Sequence, residues 1–268
     1  MKSYHQFANI YDFLMREAPY EKWEAILKQL LENNIDDIKL NNYPNFRYKV
    51  ADIGCGTGNL CFYLASLGHE VIGVDLSEEM LTVAEQKRNE SSMPIKRKIN
   101  FLCQDMRFLK LPTTVDIVVS FCDSLNYLQT SSDLNNTFRN VYNQLKDDGF
   151  FIFDILSIEK MRNEIGNEKH FEVSDETICI WQNFWNEQEQ LLHYDVSFLV
   201  QQNDDLYKRF DEYHIQKGYT IEKVRAILSN NNFIIIKEFA DFTFDSNIES
   251  AKDRYFWIVR KKPLLLDN

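Results

Sequence analysis

Residues 50–60 read VADIGCGTGNL. Val50–Ile53 is a run of small apolar residues broken only by Asp52, and glycines follow at 54, 56 and 58. A buried strand that runs straight into such a turn is what a parallel α/β sheet needs at a ligand site, because these sheets bind their ligands beyond the carboxyl ends of the strands. Gly54 can take positive φ in a tight turn. Gly56 and Gly58 remove side chains, so that a ligand and the following helix can approach the backbone. The N–H groups that begin that helix have no partner inside it and can bind polar ligand groups.

Outward from the turn, strand and helix alternate. YKVADIG (48–54), EVIGVDL (70–76), INFLCQD (99–105), VDIVVSF (115–121) and GFFIFDIL (149–156) read as strands. Helices are expected over NLCFYLASLG, closed by Gly68 as a C-cap, over EEMLTVAEQKRN behind Ser77 as N-cap, and over roughly 132–146. Strands of continuous apolar character separated by helices imply a parallel sheet covered on both faces. TIEKVRAILSNN, N-capped by Thr220, is a further helix, and FIIIKEFADF and RYFWIVRKK are two more strands.

Between the fifth strand and that helix the rhythm changes. TICIWQNFW, QLLHYDVSFLV and LYKRFDEYHIQ follow one another with turns at NEQE and QNDD and no helix between them. Leu192, Tyr194, Val196, Phe198 and Val200 alternate with His193, Asp195, Ser197 and Leu199, the period of a half-buried strand. Without crossovers these three runs pair antiparallel. The fold expected is a Rossmann-like, seven-stranded, mostly parallel sheet with helices on both faces and a small inserted antiparallel sheet. N-terminal helices and the core would occupy 1–158, the insertion 159–218, and the completion of the core 219–268. Helical spacing predicts an N-terminal helix over Tyr20–Leu31 and a shorter one over 3–16, with an Asn-rich loop after them.

Three nucleotide sites use a glycine turn after a strand. A P-loop needs GxxxxGK[ST], and no Lys follows here. The dinucleotide fingerprint GxGxxG would place its third glycine at 59, which is Asn59, and this argues against a nicotinamide-dependent oxidoreductase. The spacing GxGxG, in DIGCGTG from Asp52, resembles the first motif of the class I S-adenosylmethionine-dependent methyltransferases. The later strand ends fit the same pattern. Asp75, followed by Leu76, ends the second strand and can accept from both ribose hydroxyls. Asp105 ends the third and can accept from the adenine amino group, with the Met106 N–H as a donor to the ring. The resemblance implies that Phe121 or Cys122 offers a carbonyl to the methionine amino group, and that Cys55 belongs to the cofactor turn with its glycines.

The resemblance extends more loosely to both flanks. YHQFANIYDFLM is similar to the opening of a bacterial subgroup in which a Tyr-x-x-x-Ala-x-x-Tyr-Asp-like segment folds over the cofactor, so Tyr4 and Tyr11 carry over. That subgroup has a small antiparallel lid sheet ending in a Glu-x-His-x-x-Arg-x-Tyr-like stretch. Here EYHIQKGY supplies Glu212, His214 and Tyr219, with Lys217 where Arg is expected. An Arg-to-Lys change removes the planar fork that binds a carboxylate through two bonds. Tyr127, His214 and Tyr219 are the expected acceptor-pocket residues, and His214 and Tyr11 the expected catalytic ones. The aromatic runs WQNFW and RYFW could line the pocket or pack the sheets.

The family implies in-line transfer of a methyl group from S-adenosylmethionine, with S-adenosylhomocysteine as product. Aminopropyl transfer from the decarboxylated cofactor would favour further acids after the fourth strand, where only Asp123 stands. A non-catalytic cofactor-binding or scaffolding protein would bind without turnover. The SFCDSLN stretch lacks the prolines of the adenine and glutamine amino-group methylases, and Phe121, not Pro, precedes Cys122.

Composition narrows the partners. The chain has 268 residues, is 44% hydrophobic, and carries a net charge of −11 with only short basic clusters. That argues against nucleic acid, whose phosphates call for basic surfaces, and leaves a small-molecule acceptor. No stretch approaches the roughly 18 apolar residues of a membrane span, and nothing resembles a secretory signal. The expected location is therefore the cytoplasm. Five cysteines without a CxxC read as small, buried, reduced thiols, and neither they nor the five histidines show metal-ligand spacing. Oligomeric state is left open.

Overall fold

A computed structural model describes residues 11–12, 15–31, 46–173, 177–203, 206–244 and 246–262. Tyr4, most of the expected helix over 3–16, and the Asn-rich stretch lie outside the described residues.

Seven strands form the main sheet: β1 (Lys49–Ile53), β2 (Glu70–Asp75), β3 (Ile99–Cys103), β4 (Val115–Ser120), β5 (Leu145–Leu156), β10 (Phe233–Ala240) and β11 (Arg254–Lys261). Their spatial order is β10-β11-β5-β4-β1-β2-β3. β1 pairs parallel with β2 and β4, and the order reverses around it, so its carboxyl end opens onto the crevice of the sheet. β11 is antiparallel to both of its neighbours, which makes the sheet mostly parallel.

The helices are α1 (Tyr20–Leu31), α2 (Asn59–Ser66), α3 (Glu78–Glu90), the short α4 (Met93–Lys96), α5 (Ser131–Gln144) and α6 (Ile221–Asn230). Their ends follow local chemistry. Ser77 Oγ accepts from Met80 N at 3.1 Å, and Thr220 Oγ1 from Lys223 N at 3.2 Å. After α2, Gly68 at φ +97 donates its N–H to the Ala65 carbonyl at 2.9 Å. Two apolar layers cover the sheet. On one face Trp257 stacks on Phe153 at 5.2 Å, over Phe138 of α5 and Val224 of α6. On the other, Trp23 and Leu27 of α1 pack with Val50, Leu64 and Phe256.

The inserted sheet has four strands, not three: β6 (Lys169–Val173), β7 (Thr177–Asn186), β8 (Leu191–Asn203) and β9 (Leu206–Lys217), antiparallel throughout. β6 escaped the sequence reading because it is an edge strand. Phe171 and Val173 alternate with polar neighbours, but the run is five residues long and both are exposed, so no buried face marks it. A π-helical stretch, Lys160–Ile165, leads into it.

Candidate functional site

The tips of β1, β2, β3 and β4 meet the inserted sheet and the N-terminal segment around a cavity of about 1100 Å³. Its floor is the glycine turn. Gly54, Gly56 and Gly58 all have positive φ, at 76°, 54° and 82°. The Gly54 N–H donates to the Val74 carbonyl at 2.7 Å, which ties the turn to β2. A Cβ on Gly54 would lie 2.5 Å from Ser124 Cβ, and one on Gly58 would lie 2.9 Å from Phe101 Cζ. Gly58 therefore makes room for β3 packing rather than for a ligand. At Gly56 a Cβ would meet only the Tyr11 ring, at 3.7 Å, so Tyr11 lies over the turn.

Asp75 stands at the tip of β2. Its Oδ2 accepts from Gly56 N at 2.8 Å and its Oδ1 from Ser77 N at 2.9 Å. Burial raises its pKa, while the backbone N–H groups of Ser77, Gly56 and Leu76 hold it back. Each oxygen keeps a further lone pair, so the carboxylate is oriented and still able to accept from a diol. Asp105 also lines the cavity, but Arg107, which the sequence reading missed, grips both of its oxygens with Nε at 2.9 and 3.0 Å. That pairing lowers the Asp105 pKa.

Leu76, Met106, Cys122, Tyr127 and His214 line the cavity as well. The Tyr127 and His214 rings meet edge to face at 5.9 Å. Burial lowers the His214 pKa and raises that of Tyr11 well above its ordinary value. Asp52, Cys55, Gly58, Phe121 and Tyr219 fall outside the lining. Asp52 sits below the turn, 3% exposed, and accepts from Cys61 Sγ at 3.2 Å; burial pushes its pKa up to about 7. The Phe121 carbonyl already accepts from Ser124 Oγ at 2.8 Å. Tyr219 is buried and donates its hydroxyl to the Leu128 and Thr130 carbonyls. Of the aromatic runs, Trp181 lines the cavity, Trp185 and Trp257 are buried in packing, and Phe184 faces outward. The cysteines are free, but Cys103 is exposed at the end of β3, against the expectation of burial.

Two groups of residues emerge only from the structure. Asp12 accepts from Thr57 Oγ1 at 2.6 Å and pairs with Lys87 Nζ at 2.8 Å; Lys87 also donates to Asn59 Oδ1 at 2.7 Å. Asn59, which breaks the dinucleotide pattern, thus helps fix the N-terminal segment over the turn. The second group runs beneath the far end of the cavity. Arg254 donates to Asp123 at 3.2 Å and to Asp154 at 3.0 Å, and lies 4.9 Å over the Trp23 ring. Trp23 Nε1 donates to Asp154 at 2.7 Å. Burial raises the Asp154 pKa to about 6 despite the guanidinium. Cys122 and Asp123 hold the left-handed region at φ 56° and 53°, uncommon for non-glycine residues, where the chain leaves β4. An acid inside the apolar run GFFIFDIL and an Arg opening RYFW were the available sequence signals for this cluster.

Comparison with known proteins agrees with this geometry. Residues 50–149 match the methyltransferase domain family. A Bacillus subtilis (strain 168) protein named "Putative methyltransferase YqeM" is 37% identical over 98% of this chain and 99% of its own length. The crystal structure of an S-adenosylmethionine-dependent methyltransferase from Clostridium acetobutylicum ATCC 824 is 31% identical, covers 97% of this chain and 99% of that one, and superposes with a TM-score of 0.79. The CcbJ methyltransferase of Streptomyces caelestis, at 20% identity, shares the fold over 97% of this chain and 98% of its own, with a TM-score of 0.77. The strand order, the glycine turn with its strand-tip acids and these full-length likenesses place the chain among the class I S-adenosylmethionine-dependent methyltransferases.

Proposed function

We propose that the cavity takes S-adenosylmethionine against the tips of β1–β3 and a small-molecule methyl acceptor beneath the inserted sheet, with residues 159–218 acting as the lid. One observation carries this reading: a single cavity is lined at one end by Gly54, Gly56, Asp75 and Asp105 and at the other by Trp181, Tyr194 and His214. The residues fit the donor. Asp75 keeps an accepting lone pair on each oxygen for the ribose hydroxyls, Asp105 and Met106 stand where the adenine would lie, and Cys122 and Tyr11 flank the methionine end. Bound there, S-adenosylmethionine supplies a methyl group that is already electrophilic.

What the protein contributes is position and dryness. Holding the acceptor in line is worth roughly 7–11 kcal/mol. Tyr11, with its pKa raised by burial, stays a hydroxyl. His214, with its pKa lowered by burial, is neutral at neutral pH and can take a proton from the acceptor. An enclosed site and a net charge of −11 favour a small molecule over nucleic acid. No helix among the described residues is long and apolar enough to cross a membrane, and the cytoplasm is the location we assign.

Isotopically labelled methyl donor, incubated with the protein and a metabolite pool, should yield a labelled small molecule, and calorimetry should show S-adenosylmethionine binding. His214→Ala should cut turnover about 10²-fold or more while leaving donor affinity unchanged; equal turnover would remove His214 as the base.

A further inference from the structure

We infer that the methyl acceptor docks through a polar hydrogen of its own on the phenol oxygen of Tyr194, and that it bears no net negative charge. The inference rests on the reading of the cavity given above and adds the chemical class of the acceptor.

The first half follows from the direction of a hydrogen-bond chain. Asp123 accepts from the Arg254 guanidinium, which also pairs with Asp154, and a carboxylate in such a pair can only accept. Gln216 is 2% exposed and reaches Asp123 Oδ2 at 2.7 Å, so the end of its amide that faces Asp123 must be the NH₂ group. Its carbonyl end is thereby turned toward Tyr194, whose hydroxyl lies 2.9 Å from Oε1. A carbonyl offers no proton, so Tyr194 gives its single O–H to Gln216. Nothing remains on the phenol but accepting lone pairs, and Tyr194 lines the cavity. Toward the acceptor, this part of the wall presents an oxygen that needs a donor. An N–H or O–H on the acceptor satisfies it; a bare carboxylate, phosphate or thioether does not.

The second half follows from the charges around the cavity. Its lining holds the carboxylates of Asp75, Glu79, Asp105, Asp123 and Asp133 against the guanidiniums of Arg107 and Arg254. Arg107 is committed to Asp105 and Asp133, and Arg254 to Asp123 and Asp154. No lysine is among the described lining residues. Beside Tyr194 and Gln216 the charged groups are Asp123 and the committed Arg254, so an anionic acceptor would meet no uncommitted cation there and its desolvation would go uncompensated. An amine, an ammonium group or an uncharged alcohol or phenol meets an aromatic and carboxylate-rich wall instead.

The test uses the full chain with labelled methyl donor and three pools of small molecules sorted at neutral pH. One pool holds compounds of net zero or positive charge that carry N–H or O–H groups, the second holds anionic carboxylates, and the third holds phosphates. Label should enter the first pool alone. Tyr194→Phe, still folded though less stable for the lost bond to Gln216, should then lower kcat/KM for the labelled compound about tenfold, mainly through KM, with donor affinity unchanged. Donor binding without label in the first pool overturns this inference while the methyltransferase reading stands, and so does a Tyr194→Phe variant with unaltered kcat/KM. Failure of the wild-type chain to bind S-adenosylmethionine would instead bring down the reading of the cavity itself.

Discussion

Asp52 and Asp75 stand on the adjacent strands β1 and β2, yet their environments assign them different work. Asp75 is oriented by two backbone N–H groups at the cavity wall. Asp75→Ala should weaken S-adenosylmethionine binding by roughly 1–3 kcal/mol, the loss of a charged acceptor, which calorimetry on the folded variant can measure. Among the described residues Asp52 has a thiol for a hydrogen-bond partner, and burial holds its pKa at about 7. Cys55, Cys61, Cys122 and Asp75 are the other titratable groups around it. An unfolded chain releases the Asp52 proton near pH 4. Between about pH 4 and pH 7 the folded chain therefore holds a proton that the unfolded chain has lost, and stability falls as pH rises through that window. Asp154, raised to about 6, acts in the same direction. Asp52→Asn should shrink the decline in urea-unfolding free energy from about pH 4 to pH 7, by at most about 1.4 kcal/mol per pH unit. A variant whose decline equals that of the wild type would show that Asp52 ionises as freely in the fold as outside it.

The junction of β1 and α2 shows how far a turn can be read before it is seen. Gly58 caps α2 in the left-handed region, and its missing Cβ admits the Phe101 ring. Gly58→Ala should cost at least roughly 1–2 kcal/mol from the backbone alone, and so lower Tm by about 2–8 °C in a chain of this size; differential scanning fluorimetry would register it. Gly56→Ala carries the backbone cost without the Phe101 clash, so its melting temperature should fall less. The positions of these glycines, the caps at Ser77 and Thr220 and the strand-tip acids were legible because each is set by neighbours a few residues away. What was not legible depends on distant chain segments. That Gly58 serves Phe101 and that Asp105 is held by Arg107 are facts of packing and side-chain reach. β6 lacks a buried face to betray it. The pairing of Arg254 with Asp154 spans 100 residues, and although a charge in each apolar strand hinted at burial, nothing local names the partner.

At the scale of the molecule, the question is how a 60-residue excursion from a Rossmann-like sheet returns to a defined place above the cavity. Asn126, fully buried at the tip of β4, joins both ends of the excursion. Its Oδ1 accepts from Leu156 N at 3.0 Å, where the chain leaves β5, and its Nδ2 donates to the Lys217 carbonyl at 2.9 Å, where the chain leaves β9. Next to it, Gly218 donates to the Gln190 carbonyl at 2.8 Å, and the Asp123–Gln216 bond lies across the same seam. Asn126→Ala would strand the buried Leu156 N–H, at about 1–3 kcal/mol for an unsatisfied group, and take its partner from the half-buried Lys217 carbonyl. The cost falls on the seam and not on the sheet core, so opening should be local. Hydrogen exchange should quicken in β7–β9 and stay slow in β1, β4 and β5, and the variant should keep its affinity for S-adenosylmethionine, whose proposed contacts lie on the main sheet. Acceptor turnover should fall, because Tyr194 and His214 are carried by the loosened strands. Exchange that quickened equally in both sheets would mean that they unfold as one cooperative unit, and Asn126 would then be an ordinary core residue rather than the pin that sets the inserted sheet over the site.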